Sequence, residues 1–147
     1  MNPQFKVRAE DLAWMAGFFD GEGSIGISHP DPVGRPGTFG LQVRVSQIVK
    51  EPLIVLSAVW GGAIGIRDNG GFGSRRIFQW SLTGPRAGEF LRALLPYLVV
   101  KKADALLALE FLAVRPPRSG ARLTEAEISK RLALRDALMA NHRGELR

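Results

Sequence analysis

The 147-residue chain contains no cysteine, which excludes a disulfide scaffold, thiol catalysis and a zinc site built on cysteine. Histidine is nearly absent too: only His29 and His142 occur, so a histidine-rich metal cluster is excluded. The longest largely apolar stretch, 52–66, has 15 residues, is interrupted by glycines and is too short to span a bilayer. The N-terminus lacks the pattern of a signal peptide. We therefore expect a soluble intracellular protein of a prokaryotic cytoplasm or an organelle matrix, with no membrane partner.

Charge is distributed unevenly along the chain. Twenty basic and 14 acidic residues leave a net charge of +6. The first 23 residues nevertheless hold four acidic residues and only two basic ones, so this segment is the acidic part of a basic chain. A basic domain is typical of proteins that bind nucleic acid or another polyanion. The alternative is a solvated basic surface whose arginine content reflects genome composition.

The first predicted element is a helix over residues 11–20. Its apolar residues recur with helical spacing and form one face, namely Leu12, Met15, Ala16 and Phe19. A second stripe at i, i+4 and i+8 holds only small residues, namely Ala13, Gly17 and Gly21. Glycine inside a helix costs up to about 1 kcal/mol relative to alanine, whereas small residues let another backbone approach closely. The stripe predicts close helix–helix packing; the alternative is a helix that ends early in a glycine turn.

Beyond residue 23 the apolar period changes from 3.6 to 2, which indicates strands. Two hairpins are predicted, with strands over 24–28, 39–46, 64–67 and 77–82 and helices between and after them. The element order is α-β-β-α-β-β-α followed by two more helices. This order predicts an α+β fold in which helices cover one face of a four-stranded antiparallel sheet. A capping box at Thr124 and Glu127 starts the last helix, with Ile128, Leu132 and Leu138 expected to point inward.

The uncovered face of this sheet is predicted to be polar. It collects residue types that hydrogen-bond base edges in the major groove of DNA, namely Gln42, Arg44, Arg67, Arg75 and Gln79. Ser28 and Arg35, beside and within the 29–38 loop, complete the predicted DNA contacts. The alternative is an ordinary solvated face. Because almost no carboxylate accompanies these side chains, we favour a face that reads a DNA groove.

Residues 21–26 match the pattern G-x-G-x-x-G. That pattern indicates dinucleotide binding only when it follows a strand and begins a helix. Here it follows a helix and begins a strand, and Glu22 would face the phosphates. We reject this interpretation.

The segment from Met15 to Gly23, MAGFFDGEG, resembles the LAGLIDADG motif of the homing endonucleases, and Ser24 and Ile25 continue the match. Methionine stands in place of the motif's first leucine, phenylalanines replace two aliphatic residues, and Glu22 replaces the second aspartate. The resemblance covers about residues 5–115. It implies a single-motif protein of the homodimeric type, encoded by a mobile intron, in which the two motif helices pack at the two-fold axis. Each protomer's sheet then forms half of a saddle on a long, nearly palindromic double-stranded DNA site.

The resemblance also implies a metal site at the end of the motif helix. Glu22 and the carbonyl oxygen of Gly21 would bind Mg²⁺, with Mn²⁺ or Ca²⁺ as substitutes for binding. Mg²⁺ prefers oxygen ligands and keeps several waters, so one carboxylate from each protomer together with DNA phosphates suffices. This accounts for acidic residues within a basic chain. Asp20 is predicted to be a structural acid rather than a metal ligand.

Two further catalytic residues follow from the resemblance. Gln47 matches the glutamine that orients the nucleophilic water, and Lys101 matches the lysine near the scissile phosphate, with Lys102 as its rival. Glu51 stands where relatives often carry a basic residue, and Lys50 is the candidate replacement. Plainer alternatives are a polar strand end for the glutamine and a surface charge at a helix start for the lysine.

The leading hypothesis is therefore a homodimeric, Mg²⁺-dependent, site-specific DNA endonuclease formed by one domain over 1–147, with a helical extension over about 115–147. The main alternative is a non-cleaving RNA maturase or DNA-binding regulator on the same fold. The joint presence of Glu22, Gln47 and Lys101 favours the enzyme. A purely structural protein would leave the acidic helix end unexplained. The extension carries eight basic and four acidic residues, which either contact phosphates or solvate a packed helix.

Overall fold

The computed structural model describes residues 1–28, 39–67, 76–114 and 122–144. Its elements are α1 (Ala9–Glu22), β1 (Gly23–Ile27), β2 (Leu41–Gln47), α2 (Glu51–Trp60), β3 (Ala63–Arg67), β4 (Ile77–Thr83), α3 (Gly84–Leu94), α4 (Lys102–Ala113) and α5 (Glu125–His142). The predicted α-β-β-α-β-β-α order with two further helices is confirmed. Within the described ranges, no helix is both long and apolar enough to cross a membrane.

The four strands form one antiparallel sheet in the order β1-β2-β4-β3. The hairpins are β1 with β2 and β3 with β4, and they join where Val45 of β2 pairs with Trp80 of β4. Because successive side chains in a strand alternate between faces, this register places the large apolar residues of the four strands on one side, except Ile77, which shares the other face with Arg67 and Gln79. The predicted α+β architecture is therefore confirmed.

The helices cover this apolar face, and Phe90 of α3 lies at the centre of the core. Its ring contacts Phe19 of α1, Trp60 of α2 and Trp80 of β4 edge-on, at centroid distances of 5.1, 5.4 and 5.2 Å. Edge-to-face contacts add to the stabilisation that comes from burial of apolar area. One aromatic cluster therefore holds three helices on the sheet.

Helix α1 is continuous through both of its interior glycines and is longer at each end than the predicted 11–20. The early glycine turn, considered as an alternative, is therefore wrong. Met15, Ala16 and Phe19 are buried as predicted, and Leu12 is partly buried.

The N-terminus of α1 has a reciprocal cap. Asp11 accepts hydrogen bonds from the Arg8 side chain and from the Arg8 backbone N–H. The side-chain and then the backbone hydrogen bond lower the pKa of Asp11 below its ordinary value. The carboxylate in turn raises the pKa of Arg8. Both groups are exposed to solvent, so this cap lies on the surface.

Helix α5 packs against α4 through Leu134, Leu138 and Asn141. The predicted cap is confirmed, because Thr124 Oγ1 accepts a hydrogen bond from the Glu127 N–H and the Glu127 side chain accepts from the Thr124 N–H. The predicted inward set was partly wrong. Leu138 is buried, but Ile128 and Leu132 are only partly buried. The reason is rotational phase: the buried stripe runs at i, i+4 and i+7 from residue 134, and the other two positions point away from it on the helical wheel.

Two arginines fasten α5 to the rest of the chain. Arg135 Nε donates to the carbonyl oxygen of Ile27 on the edge strand β1 at 3.1 Å. Arg131 Nε donates to the Val114 carbonyl at 3.0 Å, and its guanidinium lies 4.4 Å from the centroid of the Phe111 ring. These two arginines favour the second alternative for the basic extension, a packed helix, because their guanidinium groups bind within the fold.

Candidate active site and nucleic-acid interface

The end of α1 passes into β1 without a loop. A Cβ atom on Gly23 would lie 2.1 Å from Phe19 Cδ2 and 2.7 Å from the Phe19 backbone oxygen. Only glycine fits there, because the backbone oxygen cannot move without breaking the helix end. Glu22, the last residue of the helix, therefore lies directly at the edge of the sheet.

Both carboxylate oxygens of Asp20, two residues earlier, accept hydrogen bonds within the chain. One carboxylate oxygen accepts a hydrogen bond from the Val99 N–H at 2.8 Å, and the other accepts from the Lys101 N–H at 2.9 Å. These bonds join the end of α1 to the segment that leads into α4. The predicted structural role of Asp20 is confirmed by this geometry.

Lys101 lies at the same helix end. Its Nζ donates to the backbone oxygen of Asp20 at 2.6 Å and lies 5.9 Å from the centroid of the Phe19 ring. The C-terminal end of a helix carries partial negative charge, which favours an ammonium group there. Lys102, its rival in the sequence, is exposed on the first turn of α4. The structure therefore places the ammonium of Lys101 at the helix end. Lys102 makes no contact there with a described residue.

Glu22 differs from Asp20 in having no partner. Its side chain is exposed and makes no hydrogen bond or ion pair with any described residue. The described residues contain no group of three or more acidic or histidine side chains that could hold a metal ion. The helix end therefore offers a single carboxylate, that of Glu22, beside the exposed Gly21. This oxygen donor set suits a hard cation that is completed by ligands from elsewhere.

Gln47 ends β2 on the same side of the sheet. Val45, two residues before Gln47, pairs with Gly23, the residue that follows Glu22. Gln47 itself pairs with Phe78 of β4, and Lys50 Nζ lies 5.6 Å from the centroid of the Phe78 ring. Lys50 thus accompanies the strand end where Gln47 lies.

The small-residue stripe of Ala13, Gly17 and Gly21 is exposed. A Cβ atom built on Gly17 or Gly21 would meet nothing within 4 Å. No packing contact within the described chain therefore requires these glycines. Beside the stripe, Trp14 is 46% exposed and its ring stacks on Phe18 at a centroid distance of 5.5 Å.

The uncovered face of the sheet is polar as predicted, and its side chains are arranged in pairs. Arg44 Nη2 donates to Gln42 Oε1 on the same strand. Arg67 Nη1 donates to Gln79 Oε1 of the neighbouring strand at 3.4 Å. Each pair combines the two residue types that read guanine and adenine in the major groove.

The remaining predicted DNA contacts divide into two groups. Ser28 lies next to this face, but its hydroxyl accepts a hydrogen bond from the Gly40 N–H at 2.8 Å and so closes the first hairpin. Arg35 and Arg75 lie outside the described residues.

The sequence-based prediction missed one polar cluster. Asp104 on α4 is 3% exposed, and its Oδ1 accepts a hydrogen bond from Asn141 Nδ2 on α5 at 2.9 Å. His142 Nε2 lies 3.4 Å from Oδ2 of the same carboxylate. A signal was present, because Asp104 precedes Ala108 and Phe111 by four and seven residues and so falls on the buried stripe of α4.

Comparison with known proteins gives structural matches only: no protein-family model and no curated protein matches the sequence. The homing endonuclease I-CvuI, solved with its target in the presence of calcium, superposes with a TM-score of 0.71 at 22% identity over 88% of this chain and 80% of that one.

Two further solved structures agree with this match. An archaeal intron-encoded homing endonuclease complexed with DNA gives 0.69 at 18% identity, with 88% and 82% of the two chains covered. The LAGLIDADG homing endonuclease I-GzeII with its DNA target gives 0.63 at 19% identity, and there the chain covers 45% of its counterpart. The chain therefore has the fold of the LAGLIDADG homing endonucleases, as its motif predicted.

Proposed function

We propose that this protein is a site-specific, metal-dependent endonuclease that cleaves double-stranded DNA as a homodimer on a long, nearly palindromic site. The observation that carries the proposal is the exposed, unpartnered carboxylate of Glu22 at the junction of α1 and the sheet. A bare carboxylate beside a polyanion would only repel it, whereas a carboxylate that holds a cation attracts the phosphate.

The homodimer is supported by the small-residue stripe on α1. Glycine at positions 17 and 21 costs helix stability and has no packing reason within the described chain. A second copy of α1 lying on the stripe supplies that reason. The chain also covers 45% of the length of I-GzeII but 80% of the length of I-CvuI. The longer protein has room for this unit twice, which is what two copies of the present chain would supply.

In the proposed site, Glu22 and the carbonyl oxygen of Gly21 would hold Mg²⁺, which Mn²⁺ or Ca²⁺ would replace for binding. A divalent cation polarises a phosphoryl oxygen and activates a bound water. The amide of Gln47, two residues beyond the Val45–Gly23 pair, would orient the attacking water by hydrogen bonding. The ammonium of Lys101, held at the helix end by the backbone oxygen of Asp20, would offset the charge of the scissile phosphate.

Sequence reading is assigned to the open face of the sheet. Arg44 and Arg67 are suited to bidentate contacts with guanine, and Gln42 and Gln79 to contacts with adenine. Ser28, Arg35 and Arg75 remain predicted contacts. Gly26 and Gly65 on the same face have no atom within 4 Å of an added Cβ, which leaves room for close approach of the duplex. Origin in a mobile intron also remains a prediction from the resemblance.

The test is a cleavage selection. The purified protein with Mg²⁺ meets a library of randomised palindromic duplexes, and Glu22→Gln serves as the control. We expect a long symmetric consensus that only the wild type cuts. Equal enrichment by binding in both proteins, without cutting, would overturn the proposal and favour the non-cleaving maturase or regulator.

A further inference from the structure

The cluster of Asp104, Asn141 and His142 joins α4 to α5 through a buried carboxylate. Burying a carboxylate costs free energy unless hydrogen bonds compensate for the lost water. Here both oxygens of Asp104 have a partner on α5, at 2.9 and 3.4 Å. Along the rest of their contact, α4 and α5 meet through apolar residues and, at the other end of α4, through Arg131. The buried carboxylate of Asp104 lies at the first turn of α4.

That turn begins at Lys101. Lys101 is the N-cap residue of α4, and Asp104 is the third residue of the helix. The N–H of Lys101 is bound by Asp20 of α1. The first turn of α4 is therefore held from two sides, by α1 at its cap and by α5 at its third residue.

Helix α5 is itself fixed independently of this contact. Arg135 binds the backbone of β1 and Arg131 binds the end of α4. Both arginines precede Asn141 in the same helix, so α5 is anchored to the sheet and to the end of α4 without the cluster. A turn held in this way fixes the backbone from which the Lys101 side chain extends to the end of α1.

We propose that Asp104 and Asn141 are positioning residues for Lys101. Through them, the C-terminal helix α5 supports the first turn of α4 and thereby the position of Lys101. This inference rests on the proposed function for the role of Lys101. The contacts that carry it do not depend on that function.

The first experiment measures cleavage under single turnover with saturating protein, alongside DNA binding. Asn141→Leu keeps the branching and the number of heavy atoms of the side chain but removes its amide. We expect cleavage to slow on the order of 10- to 100-fold, as for misplacement of a catalytic group, with an unchanged dissociation constant for DNA. The exchanged pair Asp104→Asn with Asn141→Asp restores an amide–carboxylate bond and should recover most of the rate. Met139→Leu, on the same turn of α5 and outside the cluster, is the matched control.

The second experiment separates positioning from general damage to the fold. In a Lys101→Ala background, Asn141→Leu should cause no further loss of cleavage, because the side chain to be positioned is gone. A further loss equal to that in the wild type would overturn the proposal.

The third experiment needs no nuclease activity. Hydrogen exchange of the Lys101 and Val99 amides, which donate to Asp20, should accelerate in Asn141→Leu, while exchange at Val43 in the sheet stays unchanged. If Asn141→Leu fails to fold, Asp104→Asn is measured in its place. Unchanged protection at Lys101 would overturn the positioning role even in a protein that cuts DNA. A wild type that never cuts DNA would instead overturn the proposed function, and the exchange result would still decide the positioning role.

Discussion

Two exposed surfaces of this chain differ in almost every chemical respect. The stripe on α1 is small and uncharged, with Ala13, Gly17 and Gly21 offering little but backbone. The open face of the sheet carries paired arginines and glutamines, among them Arg44 with Gln42. Surfaces so unlike suit unlike partners, a second copy of the helix for the first and a polyanion for the second. Glu22 lies where the two surfaces meet, so a partner on each would bring DNA and both carboxylates together.

The largest expected effect is at this junction. Glu22→Gln removes the charge that holds the cation and keeps the size of the side chain. Cleavage should fall to background while binding to the open face persists, because no DNA-reading residue changes. A cleavage assay and a binding isotherm on the same duplex measure the two effects. Glu10→Gln, the same change at an exposed glutamate in the first turn of α1, is the control, and a Glu22→Gln protein that cuts at nearly the wild-type rate would refute the metal role.

The stripe itself is tested by Gly17→Leu. A larger side chain should separate the two helices and weaken dimerisation by about 1–3 kcal/mol, the usual cost of overpacking. The monomer should not lose stability, because the added Cβ meets nothing within 4 Å and leucine is the better helix former. Sedimentation measures the dissociation constant of the dimer, and urea unfolding measures the free energy of unfolding. An unchanged dimer constant would mean that the stripe is not the interface.

On the open face, Arg44→Ala should relax the preference at one symmetric pair of base positions by about 1–3 kcal/mol. Dimerisation should not change, because Arg44 lies on the opposite side of the sheet from the helices. Binding selections on the wild type and the variant compare the two specificity profiles. Arg92→Ala, an exposed arginine on α3, is the control, and identical profiles for wild type and Arg44→Ala would remove Arg44 from direct readout.

The smallest effect is expected at the other end of α1, away from both surfaces. The lowered pKa of Asp11 in the folded state means that its pairing with Arg8 stabilises the fold above the unfolded pKa of about 4. This contribution disappears as the pH falls through the folded pKa. Asp11→Asn should therefore be slightly less stable than wild type at pH 7 and equal to it at pH 2. Urea unfolding at both pH values checks this, and a difference that grows in acid would contradict the assignment.

Much of the fold could be predicted because its determinants are local. The 3.6-residue period of α1 and the alternation of β2 and β4 depend only on neighbours in the chain. The cap at Thr124 is likewise a three-residue pattern. The phase of α5 could not be predicted in this way, because the residues that face α4 depend on where the two helices meet.

The two acids of the motif illustrate the same limit within the site. Asp20 and Glu22 are two residues apart and similar in chemistry, and the sequence offers only a resemblance to tell them apart. The structure distinguishes them by partners 79 and 81 residues away, the N–H groups of Val99 and Lys101.

By itself, the sequence determined the element order, the buried stripe of α1, the polar face of the sheet and the presence of a small-residue stripe. All of these follow from spacing along the chain. Only the tertiary structure decided that the Asp20 carboxylate is hydrogen-bonded while that of Glu22 is not. It also decided that Lys101 rather than Lys102 reaches the helix end, and that Asp104 is buried against Asn141. These outcomes depend on contacts between residues far apart in sequence, because a hydrogen bond or a buried charge is a property of two elements packed together.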